Sequence, residues 1–239
     1  MNAKDKVAIV TGASSGIGLA LAEHLVRKGA VVYGFARGVD NLQDASDKLG
    51  DAFHPLRCDV RDEEDVQSAV KTVISDADRV DILINNAGLG IFGKIDELSV
   101  QDWDAQMETN VRGTFLCSRA VISQMRSQNA ESGFGGHIIN IASIAGLLGN
   151  PNLSAYNASK FGVRGLSEAL MKELRDDGIK VSCIYPGSVR TNFRGASGSG
   201  GADNPMTPDD IAGTVLHVIE TSDNYLISEV VMRPLRPRG

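Results

Sequence analysis

The chain has 239 residues, 42% hydrophobic and 23% charged, which is ordinary for a globular protein and enough for one large α/β core or two small ones. A formal net charge of -6 and a sequence pI near 5.2 exclude a broad nucleic-acid or anionic-membrane surface, because both partners are themselves negative. No run of about 18 apolar residues is present to span a membrane, and Met1 to Val10 lack the features of a signal peptide, so a cytoplasmic location is expected.

Val7 to Val10 is a continuous apolar run, as expected of a strand buried on both faces of a parallel sheet. It leads into Thr11-Gly12-Ala13-Ser14-Ser15-Gly16-Ile17-Gly18, and Leu19 to Lys28 then reads as an amphipathic helix closed by Gly29. Small residues in such a turn let the backbone approach a pyrophosphate, and the helix N-terminus supplies free N–H groups and a favourable dipole. Val31 to Phe35 is the second strand, followed by Ala36-Arg37. An acidic residue at that point would bind the ribose diol of NAD. Here Arg37 stands ready to pair with the 2′-phosphate of NADP.

A helix is predicted over Asn41 to Leu49 and a strand over Phe53 to Cys58, ending at Asp59-Val60. The acidic cluster Asp62 to Asp65 opens the next helix, where negative charge complements the dipole. Val80 to Ile84 is a fourth strand running into Asn85-Asn86-Ala87-Gly88, a small polar turn of the kind that binds ligands at the C-terminal end of a parallel strand. After a loop holding Phe92 and the only tryptophan, Trp103, a long helix is expected from about Asp104 to Ser127. It contains Asn110, awkward there unless its amide has a partner. Asn129 to Gly136 is read as a polar link.

His137 to Ala142 is the fifth strand, ending at Ser143, and a second long helix runs from near Ser154 to about Arg175. This helix carries Tyr156 and Lys160, whose spacing of four places phenol and ammonium on one face. Free tyrosine and lysine have pKa values of roughly 10 and about 10.4. A fixed positive charge beside the phenol should lower its pKa towards useful acid-base range. Lys180 to Ile184 is a sixth strand, stopped by Pro186-Gly187. Asn192 to Asn204, extending in effect to about residue 208, is rich in glycine and serine and reads as a mobile lid. Thr207-Pro208-Asp209-Asp210 caps a further helix, and Val230 to Met232 offers a last strand.

Regular alternation of strands and helices gives one doubly wound parallel sheet over residues 1–239, with helices on both faces in three layers. The widely separated Cys58, Cys117 and Cys183 are read as packing residues, and the four histidines show no ligand spacing, so no metal is expected.

From Lys6 to Thr191 the chain resembles the short-chain dehydrogenase/reductase family. Thr11 to Gly18 matches its cofactor loop, Asp59 its adenine-contacting acid, and Asn86-Ala87-Gly88 its Asn-Ala-Gly turn. Asn110, Ser143, Tyr156 and Lys160 stand in the chain order of its catalytic tetrad, and Pro186-Gly187 with Thr191 matches the segment closing over the nicotinamide carboxamide. The resemblance implies a Rossmann-like fold, with cofactor contacts from Gly12, Ser14, Ser15, Gly16, Ile17, Gly18, Arg37, Asp59, Val60, Asn86, Ala87, Gly88, Tyr156, Lys160, Pro186, Gly187, Val189 and Thr191. It implies NADP(H) as preferred cofactor with NAD(H) as second choice. Tyr156 would be proton donor, Ser143 the anchor of the carbonyl oxygen, Lys160 the ribose ligand that depresses the tyrosine pKa, and Asn110 the holder of a water.

The small-molecule substrate would be an aldehyde, ketone or keto ester, or the corresponding alcohol, and the protein would assemble as a homodimer or homotetramer. Two positions depart from the family pattern. Ser15 replaces the usual basic residue before the second loop glycine, leaving NADP preference to Arg37, and Ser228 to Pro234 lacks the Gly-Gly pair common after the last strand, which argues against a fatty-acid-synthesis ketoacyl reductase. The alternative function is a dinucleotide-binding sensor without turnover, against which the intact tetrad speaks. The larger epimerase and dehydratase relatives need a substrate domain for which no room remains after Thr191. The expected pocket is formed by Gly88 to Phe92, Ala145 to Leu153 and the lid, with Phe92, Leu147, Leu148, Leu153 and Phe193 giving it a partly apolar lining.

Overall fold

The apolar run Val7–Thr11 forms β1, buried along its whole length, and it is an interior strand of a seven-stranded sheet. The computed structural model describes residues 1–191, 193 and 205–235. The other strands are β2 (Val31–Ala36), β3 (Phe53–Arg57), β4 (Ile82–Asn85), β5 (Gly136–Ile141), β6 (Ile179–Pro186) and β7 (Glu229–Met232). Every pairing is parallel, in the order β3-β2-β1-β4-β5-β6-β7. Chain order reverses between β1 and β4, so the crevice beyond their C-terminal ends is where such a sheet receives a ligand.

Helices cover both faces because strands buried on both sides leave no solvated surface. On one face α1 (Gly16–Arg27), α2 (Val39–Leu49) and α7 (Pro208–Ile219) bring Leu21, Leu25, Leu42, Ile211 and Val215 against Val10, Val32 and Ile84. On the other, α3 (Glu63–Ala77), α5 (Gly113–Ser132) and α6 (Ser154–Leu174) bury Val70, Leu116, Val121, Met125 and Leu174 against Ile9, Leu83 and Ile138. Among the described residues, no helix is long and apolar enough to cross a membrane.

Several boundaries differ from the sequence-based ones for identifiable reasons. Ser99 caps α4 (Val100–Met107) by accepting the Asp102 N–H at 3.0 Å, so the helix starts before Asp104 and includes Trp103. Asn129–Ser132 is helical, and α5 ends where Gly133 takes φ +76. Between α4 and α5, Glu108–Arg112 form a π turn holding Asn110. The acidic start of α3 is as expected, with Asp62 accepting from Glu64 N and Asp65 N. Thr207 and Asp210 complete a reciprocal cap on α7.

Of the expected lid, residues 192 and 194–204 lie outside the described residues. In the stretch 205–208, Met206 bridges to Val189, with Arg190 N donating to Met206 O at 2.8 Å, and Pro208 begins α7.

Candidate active site

At the C-terminal edge of the sheet lies a cleft of about 670 Å³ that runs from Arg37 and Asp59 at one end to Phe92, Leu153 and Phe193 at the other. Such a volume suits a cofactor and a small substrate.

The first end is made mostly of backbone. Gly12 and Gly16 have φ +68 and +56, conformations that cost glycine nothing. They turn the chain so that Ser14, Ser15, Gly16 and Ile17 line the cleft beneath α1. Ser15 makes no side-chain cap, and the first turn of α1 contains no acidic residue. The first-turn N–H groups and the positive end of the helix dipole are therefore left for a negatively charged group. Gly18 does not line the cleft. A Cβ there would meet Gly12 O at 2.2 Å and Asn86 Nδ2 at 2.5 Å, so this glycine lets α1 lie against the turn after β4.

That turn is held by Thr11. Its Oγ1 accepts from Asn86 N at 3.0 Å and Ala87 N at 2.9 Å, while Asn86 Nδ2 donates to Thr11 O at 3.0 Å. Asn86, Ala87 and Gly88 line the cleft. Exposed Arg37 follows β2, and it forms no ion pair with a described residue. Asp59 is clasped by Arg61, with Nη2 to Oδ2 at 2.6 Å and Nε to Oδ1 at 3.0 Å. Hydrogen bonding to Arg61 outweighs burial and holds the Asp59 carboxyl below its ordinary pKa. Val60, Pro186, Gly187, Val189 and Thr191 also line the cleft.

The second end is made of side chains. Ser143 leaves β5 and Tyr156 and Lys160 stand on the first turns of α6, so three of the expected tetrad converge on the cleft floor. Ser143 Oγ accepts from Ala145 N at 3.2 Å and makes a long contact to Pro186 O at 3.4 Å. Lys160 is buried, with Nζ 2.9 Å from Ile141 O and 5.8 Å from the Tyr156 ring centroid.

The expectation that this ammonium lowers the tyrosine pKa is not met here. Burial pushes the Tyr156 phenol up to about 12, and a hydrogen bond to Ser143 only partly offsets it. Burial also brings Lys160 down to about 8. At nearly 6 Å and bonded to a carbonyl, the lysine charge is too far to dominate. The phenol accordingly keeps its proton at neutral pH.

Asn110, the fourth expected member, does not line the cleft. Its Nδ2 donates to Leu89 O and Ser159 Oγ, both at 2.8 Å, and its Oδ1 accepts from Leu89 N at 2.8 Å. Both amide hydrogens are thus engaged by protein, so the amide braces the loop after β4.

Apolar walls flank Tyr156: Phe92 meets its ring edge-on at 5.5 Å and Phe193 lies at 5.9 Å. Ala145 and Leu153 line the cleft as expected, whereas Leu147 packs against the small core around Tyr185 and Leu148 faces solvent. The sequence reading missed Asn41 in the first turn of α2, Thr109 in the π turn, and the lining role of Cys58 and Ser188. Asn41 stands four residues past Arg37, a legible signal; Thr109 had none. Among the described residues no cluster of His, Cys, Asp or Glu is arranged to hold a metal ion.

A sequence model of the family described as short chain dehydrogenase matches residues 6–200. An uncharacterized oxidoreductase of Staphylococcus saprophyticus is 35% identical over 236 residues, covering 97% of this chain and 98% of the relative. The fold matches a 3-ketoacyl-(acyl-carrier-protein) reductase from Brucella melitensis complexed with NADH (TM-score 0.89, 29% identity, 96% and 97% of the two chains). It also matches a metagenomic short-chain oxidoreductase in complex with NADP (TM-score 0.84, 34% identity, 98% and 99% covered).

Proposed function

Since the chain belongs to the short-chain dehydrogenase family, we propose that it interconverts a carbonyl compound and an alcohol with NADP(H) as preferred cofactor. The observation that carries this reading is the convergence of Ser143, Tyr156 and Lys160 at one end of a cleft whose other end presents an α1 N-terminus and Arg37. The open first-turn N–H groups and absence of acid there suit a pyrophosphate, and Arg37 suits a 2′-phosphate. One sheet supports both ends, in keeping with a single domain.

When bound, the nicotinamide supplies or accepts the hydride. The chain's own part is proton and charge management. Ser143 receives the Ala145 N–H, and its hydroxyl hydrogen, held only by a long 3.4 Å bond to Pro186 O, can turn to a carbonyl oxygen. Tyr156, protonated in its buried setting, gives its proton to that oxygen as negative charge develops on it. Lys160, on the cleft floor beside it, would hold the nicotinamide ribose. The phenylalanines about Tyr156, and the absence of any charged side chain besides Lys160 among the described residues at this end, favour an uncharged aldehyde, ketone or keto ester.

Consumption of NADPH and of NADH across a panel of such compounds, with Tyr156→Phe as control, tests the reading. NADPH-dependent turnover lost in the variant is the expected result, and consumption of neither cofactor by the parent chain would overturn it. Phe115 on α5 and Phe161 on α6, 43% and 42% exposed, are apolar enough to favour a homodimer or homotetramer, which sedimentation will count.

A further inference from the structure

Asn157 stands between Tyr156 and Lys160 in the chain, yet it points away from the cleft and is 7% exposed. All its polar atoms are engaged with one loop. Nδ2 donates to Ala145 O at 2.7 Å and Leu148 O at 2.8 Å, while Oδ1 accepts from Asn150 N at 3.0 Å. Of these three residues, Ala145 and Asn150 line the substrate end of the cleft.

The backbone of Ala145 joins two groups. Its carbonyl is held by Asn157, and its N–H donates to Ser143 Oγ. The loop also lies close on α6, since a Cβ at Gly146 would meet Lys160 O at 2.7 Å. Nothing else in the described structure grips this loop with side-chain hydrogen bonds at three points. The facing wall is built the same way: Asn110 holds Leu89 by both backbone groups, and buried Gln106 accepts the Ile91 N–H at 3.0 Å.

We propose that Asn157 is a positioning residue for the reaction, setting the Ser143 hydroxyl through Ala145 and fixing the substrate wall through Leu148 and Asn150. This rests on the reductase reading above. Because α6 carries both Tyr156 and Asn157, one helix sets the proton donor and, through the loop, the hydroxyl that anchors the same oxygen. A small error in that pairing lowers rate more than cofactor affinity, since the pyrophosphate end shares none of these bonds.

The test combines hydrogen exchange over residues 143–153 with steady-state kinetics for Asn157→Ala and Asn157→Ser. Loss of the three bonds is expected to speed exchange in this loop by about tenfold or more. It should lower kcat by about tenfold or more, while the NADPH dissociation constant stays within about twofold of the parent's. In Asn157→Asp the new carboxyl faces two carbonyl oxygens. Its protonated form can still donate to one of them, so activity is expected to fall as pH rises through the ionisation of this carboxyl, a group the parent does not have.

Unchanged exchange in the loop, or kcat unchanged in both neutral variants, would overturn the proposal, as would a parallel loss of NADPH affinity. A parent chain inactive across the whole panel removes the reductase reading instead. The exchange measurement then still decides whether Asn157 holds the loop.

Discussion

The two edges of the parallel sheet are both polar, but they are built for opposite ends. At the C-terminal edge the strands run out into Arg37, the Asn86 turn, Ser143 and Gly187, and these groups face a cleft. At the N-terminal edge the polar groups face one another. Asp81, just before β4, accepts from Val7 N at 2.9 Å and from Arg79 at 2.6 Å and 2.7 Å, with Lys6 at 3.4 Å. Gln128 pairs with Val80 N and O, and Lys180 reaches Ser222 O at 2.6 Å. Buried His137 lies 2.8 Å from Ser182 Oγ. Since Ser182 donates its hydrogen to Ile227 O at 2.6 Å, the ring must donate from Nε2, leaving Nδ1 without a partner. Partners supplied from within make an edge that stabilises. Partners left for a ligand make an edge that works, and substitutions should separate the two.

The largest expected effect is at the working edge. Tyr156→Phe removes the proton donor and should lower kcat by about 10²- to 10⁴-fold, with thermal unfolding nearly unchanged. Asp81→Ala is its counterpart. Losing a buried carboxylate that serves two cations and a backbone N–H should cost about 2 to 4 kcal/mol in urea unfolding, with kcat within about twofold of the parent's. A large loss of activity in the folded Asp81 variant would break the distinction. Arg37→Ala should reduce the preference for NADPH over NADH by about ten- to a hundred-fold and leave stability untouched.

His137 gives the smallest effect. Burial, then the charges of Lys180 and the N-terminus, push the ring down to about 3. An unfolded histidine binds its proton below about 6.5. Between these values the unfolded state holds more protons, so stability falls as pH drops through the window and is unaffected above it. Going from pH 7 to pH 5 should cost roughly 2 kcal/mol, measured by urea unfolding at each pH, and His137→Gln should flatten that slope.

What the sequence made legible follows the same division. The phosphate end is announced by glycines, because backbone conformation restricts residue type, and Gly12, Gly16 and Gly18 carry geometry any reader of spacing can recover. Tyr156 and Lys160 were legible from helical spacing. The tyrosine's raised pKa was not, because it depends on burial and on the distance from Lys160, which spacing leaves open. Nor was the use of Asn110 as a brace, because its partners Leu89 and Ser159 are 21 and 49 residues away. The closed edge was invisible for that reason too: Asp81 and Val7 are 74 residues apart, and nothing in the strand Val80 to Ile84 announces the carboxylate's partners.

The π turn at Glu108–Arg112 sits within helical backbone that runs without interruption from Val100 to Ser132. Such a turn holds one residue more than an α-helical turn, which rotates everything after it by roughly 100° relative to what precedes it. Upstream, Gln106 reaches the loop after β4; downstream, Leu116 and Val121 meet the sheet. Deleting one residue from this turn would yield a more regular helix and a worse protein, with either the loop or the core facing the wrong way. The surplus residue is the joint that lets a single rod both pack on the sheet and reach the cleft.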